Sequence, residues 1–204
     1  MAPTLKLTYF DARGRAEATR LALCIGGIEF EDKRVTGDEF AALKPTLPFG
    51  QVPVLEVDGE MHAQTGAFLH YTGKLAGLYP KDPLEALRVD EIVLALEDMT
   101  AAIIPVFYEK DEAKKAEMIK ECVDVTMPKW LSSIEKRIVG RGCEWAAGDT
   151  MSIADLCIYS YWVNIAQGAL AIVPTNYLEP YTKLSEIGQK VADHPKVKEW
   201  NEKH

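Results

Sequence analysis

A tyrosine stands in a setting that could do chemistry. The segment Tyr9-Phe10-Asp11-Ala12-Arg13-Gly14-Arg15-Ala16-Glu17 follows a run in which Leu5, Leu7 and Tyr9 alternate with Lys6 and Thr8, and it leads into an apolar helical pattern. A phenol at the C-terminal end of a strand, beside a helix N-terminus, faces a place that favours anions. A core aromatic fits the same position. In Gln51-Val52-Pro53-Val54-Leu55, Pro53 opens a strand pattern, where a residue without an N–H is tolerated. A cis Val52–Pro53 bond would turn the Val52 amide and carbonyl outward, where an extended peptide could pair with them. A trans proline at a strand edge fits these residues too. Gln64-Thr65 precedes another helical pattern. The Thr65 hydroxyl can act as a plain cap, or form a carboxylate seat with the free N–H groups of the first turn.

The elements that must hold these residues follow from periodicity. Residues 5–9 read as a strand, 13–26 as a helix stopped by Gly26-Gly27, and 29–33 as a second strand. Residues 52–57 and 60–63 read as strands joined across Asp58-Gly59, a strong hairpin signal, and 65–76 as a helix. The order is β-α-β, then β-β-α. From Pro83 onward no strand pattern recurs. Apolar residues at helical spacing (Leu87, Ile92, Leu96, Met99, Ile103) mark 84–107, and 113–138 reads as a second long helix. Met151, Ser152 and Asp155 announce a third through a capping box, with Met151 as a staple on Leu156. Shorter helices over 181–191 and 195–203 finish the chain. The texture changes at Tyr79-Pro80 and Asp82-Pro83, which predicts a domain over 1–78, a linker over 79–83 and an all-helical domain over 84–204.

Composition narrows the function. The chain has 204 residues, 48% hydrophobic and 26% charged, enough to bury a core without disulfide staples. Its net charge of −8 excludes a general binder of nucleic acid or anionic membranes, which would need a cationic face. Residues 1–78 are nearly balanced, with 8 basic and 10 acidic side chains, so local cationic sites can exist there. The uncharged stretch 156–178 is long enough to span a bilayer, but Asn164, Gln167, Gly168, Pro174 and Asn176 interrupt it, so it reads as a buried helix plus a loop. The first ten residues lack the apolar run of a secretory leader, and Ala2 excludes myristoylation. Cys24, Cys122, Cys143 and Cys157 form no Cys-x-x-Cys pair, which predicts inert, buried thiols in a reduced cytoplasmic protein, with neither a zinc cluster nor a redox couple.

Taken together, the Tyr-Phe…Arg-Gly-Arg-Ala-Glu start, Pro-Phe-Gly-Gln-Val-Pro-Val-Leu and Gln-Thr before a helix resemble the cytosolic glutathione S-transferases. The nearest likeness is to the sigma class, which includes glutathione-dependent prostaglandin D synthases and lens S-crystallins. The likeness runs over nearly the whole chain, the Ser152–Asp155 box included. It implies an α/β thioredoxin-like N-terminal domain with a cis-proline at Pro53, followed by an all-α C-terminal domain.

The resemblance also implies roles. Tyr9 matches the catalytic tyrosine and Arg15 an arginine near the catalytic centre. Val52, next to Pro53, matches the residue whose backbone pairs with the cysteinyl part of glutathione. Gln64 and Thr65 match the pair holding its γ-glutamyl end, and Lys44 and Gln51 positions near the glycyl end. Asp98 matches an acidic residue that reaches the ligand's amino group from the partner subunit of a homodimer. Phe10, Gly14, Met99, Ile103 and Phe107 are the candidates for a hydrophobic electrophile site, although the last three also share a helix face and so fit core packing. Phe40 aligns where the family commonly has Trp, and Thr65 where Ser is commoner. Leu94 and Glu97 stand where prostaglandin D synthases have aspartates, so no metal is expected. The expected function is conjugation of glutathione, a co-substrate rather than a tightly bound cofactor, to hydrophobic electrophiles. A structural S-crystallin-like protein, a ligand-binding module and a glutathione-dependent prostaglandin isomerase are the alternatives.

Overall fold

The computed structural model describes residues 2–204. Packing divides the described residues into two compact units, residues 2–80 with 192–204, and residues 81–191.

The first unit is built on a four-stranded sheet. Its strands are β1 (Leu5–Phe10), β2 (Glu31–Val35), β3 (Val54–Val57) and β4 (Glu60–His62), in the order β2-β1-β3-β4. β1 pairs parallel to β2 and antiparallel to β3, and β3 pairs antiparallel to β4. β2 begins two residues later than the periodicity predicts. Asp58 and Gly59 both have positive φ, 50° and 87°. This is the type I′ geometry that suits the right-handed twist of the paired strands. Helix α1 (Glu17–Ile25) follows a 3₁₀ turn over Gly14–Ala16. Leu7, Ala16, Leu55 and Phe68 form a core against which Tyr9, Phe30, Val57 and Tyr71 pack.

Helix α2 (Gly37–Leu43) has no counterpart in the sequence reading. None of its residues is buried, so no hydrophobic period marks it. A local signal was nevertheless present. The Thr36 hydroxyl accepts from the Glu39 N–H at 3.2 Å while Glu39 accepts from the Thr36 N–H at 2.7 Å, a complete capping box. Helix α3 (Thr65–Leu75) packs on α1.

The second unit holds α4 (Pro83–Tyr108), α5 (Glu112–Glu121), α6 (Met127–Arg141), α7 (Ile153–Ala166) and α8 (Thr182–Ala192), α8 reaching one residue past the division. α4 packs against α6 and α7. The long helix predicted over 113–138 is α5 and α6 joined through a π turn at Cys122–Thr126. A π turn loosens the backbone ladder, and here the Tyr177 hydroxyl donates to the Val123 carbonyl at 2.5 Å. The capping box of α7 forms as predicted: Asp155 accepts from the Ser152 N–H at 2.8 Å, and its other oxygen accepts from the Ala146 N–H at 2.8 Å. The uncharged stretch 156–178 is the body of α7 and the loop after it, and no helix among the described residues is long and apolar enough to cross a membrane.

The final helix, α9 (Pro195–Lys203), packs apart from the other C-terminal helices. The sequence reading placed 84–204 in one helical domain, but α9 lies on α1 and belongs to the first unit. Chain order carries no signal for such a return.

Candidate functional site

The sheet topology brings the candidate segments of the first unit to one end. β1 and β2 are parallel and pair Phe10 with Val35, so the turn after Phe10 and the approach to α2 leave the sheet together. β3 runs the other way and pairs Val54 with Thr8, so Val52 and Pro53 enter beside that turn. β4 pairs His62 with Leu55, so its exit toward Gln64 and Thr65 lies at the same end. Residues far apart in sequence are collected there because β1, β2 and β4 all run toward that end and β3, antiparallel to both its neighbours, starts from it.

Tyr9 stands near the end of β1, half-buried, with its ring on the sheet core. Its hydroxyl oxygen accepts from the Arg15 N–H at 3.4 Å. Gly14, at φ +42°, brings its backbone against the phenol: a Cβ there would lie 2.6 Å from the Tyr9 hydroxyl oxygen. The 3₁₀ turn thus touches the tip of the ring, and the phenolic proton is left without an acceptor among the described residues.

The turn itself is held from beneath. Arg20 is fully buried, and its guanidinium donates to the Ala12 carbonyl at 2.6 Å, to the Phe10 and Arg13 carbonyls at 3.4 Å, and to Asp32 at 3.0 Å. Glu17, also buried, faces Arg20 at 3.5 Å and Arg13 at 3.7 Å. Burial pushes the Glu17 carboxyl above its ordinary range, while Arg20 and Arg13 pull it back. Arg34 bridges Asp32 and Asp11, and its hydrogen bond lowers the Asp11 carboxyl. In the sequence reading Arg20 is only one of the eight basic side chains counted over 1–78. Its tertiary role, as a buried charge paired on every side, has no local signature.

Two of the candidate site residues are cations. Arg15 and Lys44 are exposed, and neither forms an ion pair among the described residues. The Lys44 ammonium lies 5.9 Å from the centroid of the Phe40 ring, and Phe40 meets Phe10 edge-on at 5.3 Å. Phe10 in turn meets Tyr9 at 5.4 Å. An aromatic chain therefore runs from the phenol to the lysine. Gln51 is exposed, Val52 half-buried and Pro53 buried, and the Val52–Pro53 bond is cis.

Gln64 adopts φ +74° and ψ 106°, unusual for a residue with a side chain, and is itself the N-cap of α3. Thr65 is the first helical residue, and no side chain caps this end, which corrects the expectation of a Thr65 cap.

The remaining candidates lie on α4. Asp98 and Phe107 are exposed. Met99 and Ile103 are shut away from solvent, 0% and 4% exposed, so their place is packing, as the shared helix face allowed. Among the thiols only Cys122 is buried, and Cys24, Cys143 and Cys157 are half-buried, against the expectation of four buried thiols. Their chemistry stays quiet: burial pushes Cys24 up to about 11 and Cys157 up to about 12.

Comparison with known proteins places this geometry. The glutathione S-transferase N-terminal domain model matches residues 5–74, and the C-terminal domain model matches residues 97–204. The chain belongs to the glutathione S-transferase family. Glutathione S-transferase 1 of Ascaris suum is 36% identical over 203 residues, covering 96% of this chain and 98% of the relative. Hematopoietic prostaglandin D synthase of Mus musculus is 33% identical, covering 97% and 95%. The structure of prostaglandin synthase D of Nilaparvata lugens superposes with a TM-score of 0.91 at 32% identity, covering 99% of this chain and 98% of that one. The family's thioredoxin-like sheet lies in the first unit, and the helices of its C-terminal part make up the second unit except for α9, which packs in the first.

Proposed function

We propose that the protein conjugates glutathione to hydrophobic electrophiles, with Tyr9 donating a hydrogen bond to the tripeptide's thiolate. The observation that carries this reading is the Tyr9 hydroxyl, which accepts from the Arg15 N–H at 3.4 Å and keeps its own proton for a ligand. Glutathione brings two carboxylates, which suits the unpaired cations Arg15 and Lys44. Lys44 and Gln51 take the glycyl end, with Phe40 packed beside them. The Val52 backbone pairs with the cysteinyl part, and Gln64 and Thr65 hold the γ-glutamyl end.

The energetics are modest. A free thiol near pKa 8.5 is only a few per cent ionised at neutral pH, and the thiolate is the nucleophile. Lowering the pKa by about two units requires about 2.7 kcal/mol of preferential thiolate stabilisation. A hydrogen bond to an ionised acceptor supplies about 1.5–3 kcal/mol. One phenol, aided by the Arg15 charge, is enough. The thiolate then attacks the electrophile, forming the carbon–sulfur bond as the leaving group departs or as a conjugated double bond takes up the electron pair.

Phe10, half-buried beside Tyr9, forms the wall of the electrophile site in the first unit, with the Gly14 turn next to it. Of the α4 candidates, Phe107 has the exposure a ligand contact needs. The class is sigma-like, and the setting cytoplasmic, in keeping with cysteines that form no disulfide among the described residues. A homodimer accounts for Asp98 as the partner's contribution and for large apolar side chains left in water, Phe49 at 65% and Leu87 at 63% exposure.

The decisive experiment titrates the thiol of bound glutathione by its ultraviolet absorbance in wild type and Tyr9→Phe. The wild-type midpoint falls below that of free glutathione, and the variant loses most of the shift. Turnover of an aryl halide drops by about ten- to a thousandfold, equal to about 1.4–4 kcal/mol. An equal midpoint in both proteins removes Tyr9 from the mechanism. Prostaglandin isomerisation is the second reading, favoured by the relatives named prostaglandin D synthase, and a product assay with that substrate decides it.

A further inference from the structure

The C-terminal helix poses a question the site does not answer. After the helical unit, the chain returns to lay α9 on α1. Trp200 is the contact that matters. Its indole N–H donates to the Glu17 carboxylate at 3.2 Å. Its ring lies over Phe30 with centroids 6.2 Å apart, and His204 stacks on it at 3.8 Å.

Glu17 does not end the chain of contacts. Its other oxygen faces Arg20 at 3.5 Å, and Arg20 donates to the carbonyls of Phe10, Ala12 and Arg13. Those carbonyls belong to the turn that leads into Gly14 and Arg15, the two residues touching the Tyr9 hydroxyl. A guanidinium has a planar set of donors, so its orientation fixes all three carbonyls together. The orientation is fixed in turn by its carboxylates, Asp32 on one side and Glu17 on the other. A buried carboxylate keeps its place only when its own lone pairs are engaged. Trp200 supplies that engagement from α9 at 3.2 Å, closer than Arg13, which faces the same oxygen at 3.7 Å.

We propose that Trp200, Glu17 and Arg20 form a positioning relay through which α9 sets the turn that aims the Tyr9 proton. None of the three is among the residues assigned to glutathione. The proposal rests on the reading of Tyr9 as thiolate donor.

The test uses the full chain with Arg20→Lys, Trp200→Phe and the double variant. Lysine keeps the charge and loses the fork; phenylalanine keeps a ring and loses the N–H. The readouts are the titration midpoint of bound glutathione, kcat and KM with an aryl halide, and the melting temperature. Misplacing a catalytic group is costly in turnover, so Arg20→Lys lowers kcat by about tenfold or more with KM for glutathione changed less than about threefold. Its midpoint moves toward that of free glutathione. Trp200→Phe moves both in the same direction, with kcat down by about threefold. The double variant resembles Arg20→Lys alone, because both act along one route.

Variants that melt earlier yet keep the wild-type midpoint and the wild-type kcat per folded molecule overturn the relay, since stability alone would explain them. A fully additive double variant overturns the route through Arg20. Should Arg20→Lys fail to fold, Trp200→Phe decides alone by the same two readouts. A wild-type chain that leaves the thiol where free glutathione has it overturns the thiolate reading, and the relay with it. A lowered wild-type midpoint that neither variant moves overturns the relay alone.

Discussion

Gly14 lies so close to Tyr9 that a Cβ on it would sit 2.6 Å from the phenolic oxygen and 2.9 Å from a ring carbon. The position also has φ +42°, where a side chain is strained. Gly14→Ala must therefore push the phenol aside or open the turn. The expected result is a fall in kcat of about tenfold to a hundredfold, since small misplacements of a reacting group are costly. The thiol midpoint should rise with it. An alanine variant with wild-type kcat and midpoint would show that the tip of Tyr9 has room to spare.

Lys44 is exposed, so its contribution to an anionic ligand is that of a surface pair. Lys44→Ala should weaken glutathione binding by about 0.2–1 kcal/mol. Salt should shrink the difference, because exposed charges are screened. Calorimetry at low and at high ionic strength reads both. A loss that does not change with salt would point to packing on Phe40 in place of charge.

Asp155 has a structural part to play. It is fully buried and accepts from the Ser152 and Ala146 N–H groups, each at 2.8 Å, and from the Ser152 hydroxyl at 3.0 Å. Asp155→Ala removes a cap and strands buried donors, so urea unfolding should show a loss of about 2–4 kcal/mol. A loss under about 1 kcal/mol would mean that other acceptors take over those N–H groups.

The thiol environment makes stability fall at high pH. Burial holds Cys157 near 12 against an ordinary thiol value of 9.0. Once the pH passes 9, the unfolded chain releases this proton while the folded chain keeps it. The contribution is thus complete below pH 9 and disappears as pH rises toward 12. The slope is at most about 1.4 kcal/mol per pH unit. Denaturant curves at pH 8.5 and 10.5 should differ less in Cys157→Ala than in wild type. An equal difference in both would assign the alkaline loss elsewhere. At pH 8, Cys24, near 11, should resist iodoacetamide until the protein unfolds.

Legibility in the sequence followed the range of the interaction. The Asp58-Gly59 hairpin and the Ser152–Asp155 box involve residues two or three apart, and both stand in the structure as read. The alternation of Leu5, Leu7 and Tyr9 located β1 within one residue. Helix α2 escaped because it buries nothing, although Thr36 and Glu39 carried its local signature. Met99 and Ile103 share a helical period with a ligand wall and with a core, and burial alone separates the two.

The sequence by itself determined the segments that carry the chemistry and the local turns that begin and end them, because those depend on side-chain type and on bonds to near neighbours. Only the tertiary structure decided that the Tyr9 hydroxyl donates to none of the described residues, that Arg20 is an interior tie and that α9 closes on α1. Each of these is an outcome of burial and partner geometry between residues as distant as Glu17 and Trp200. Chain order leaves such pairings open until the sheet and its helices have packed.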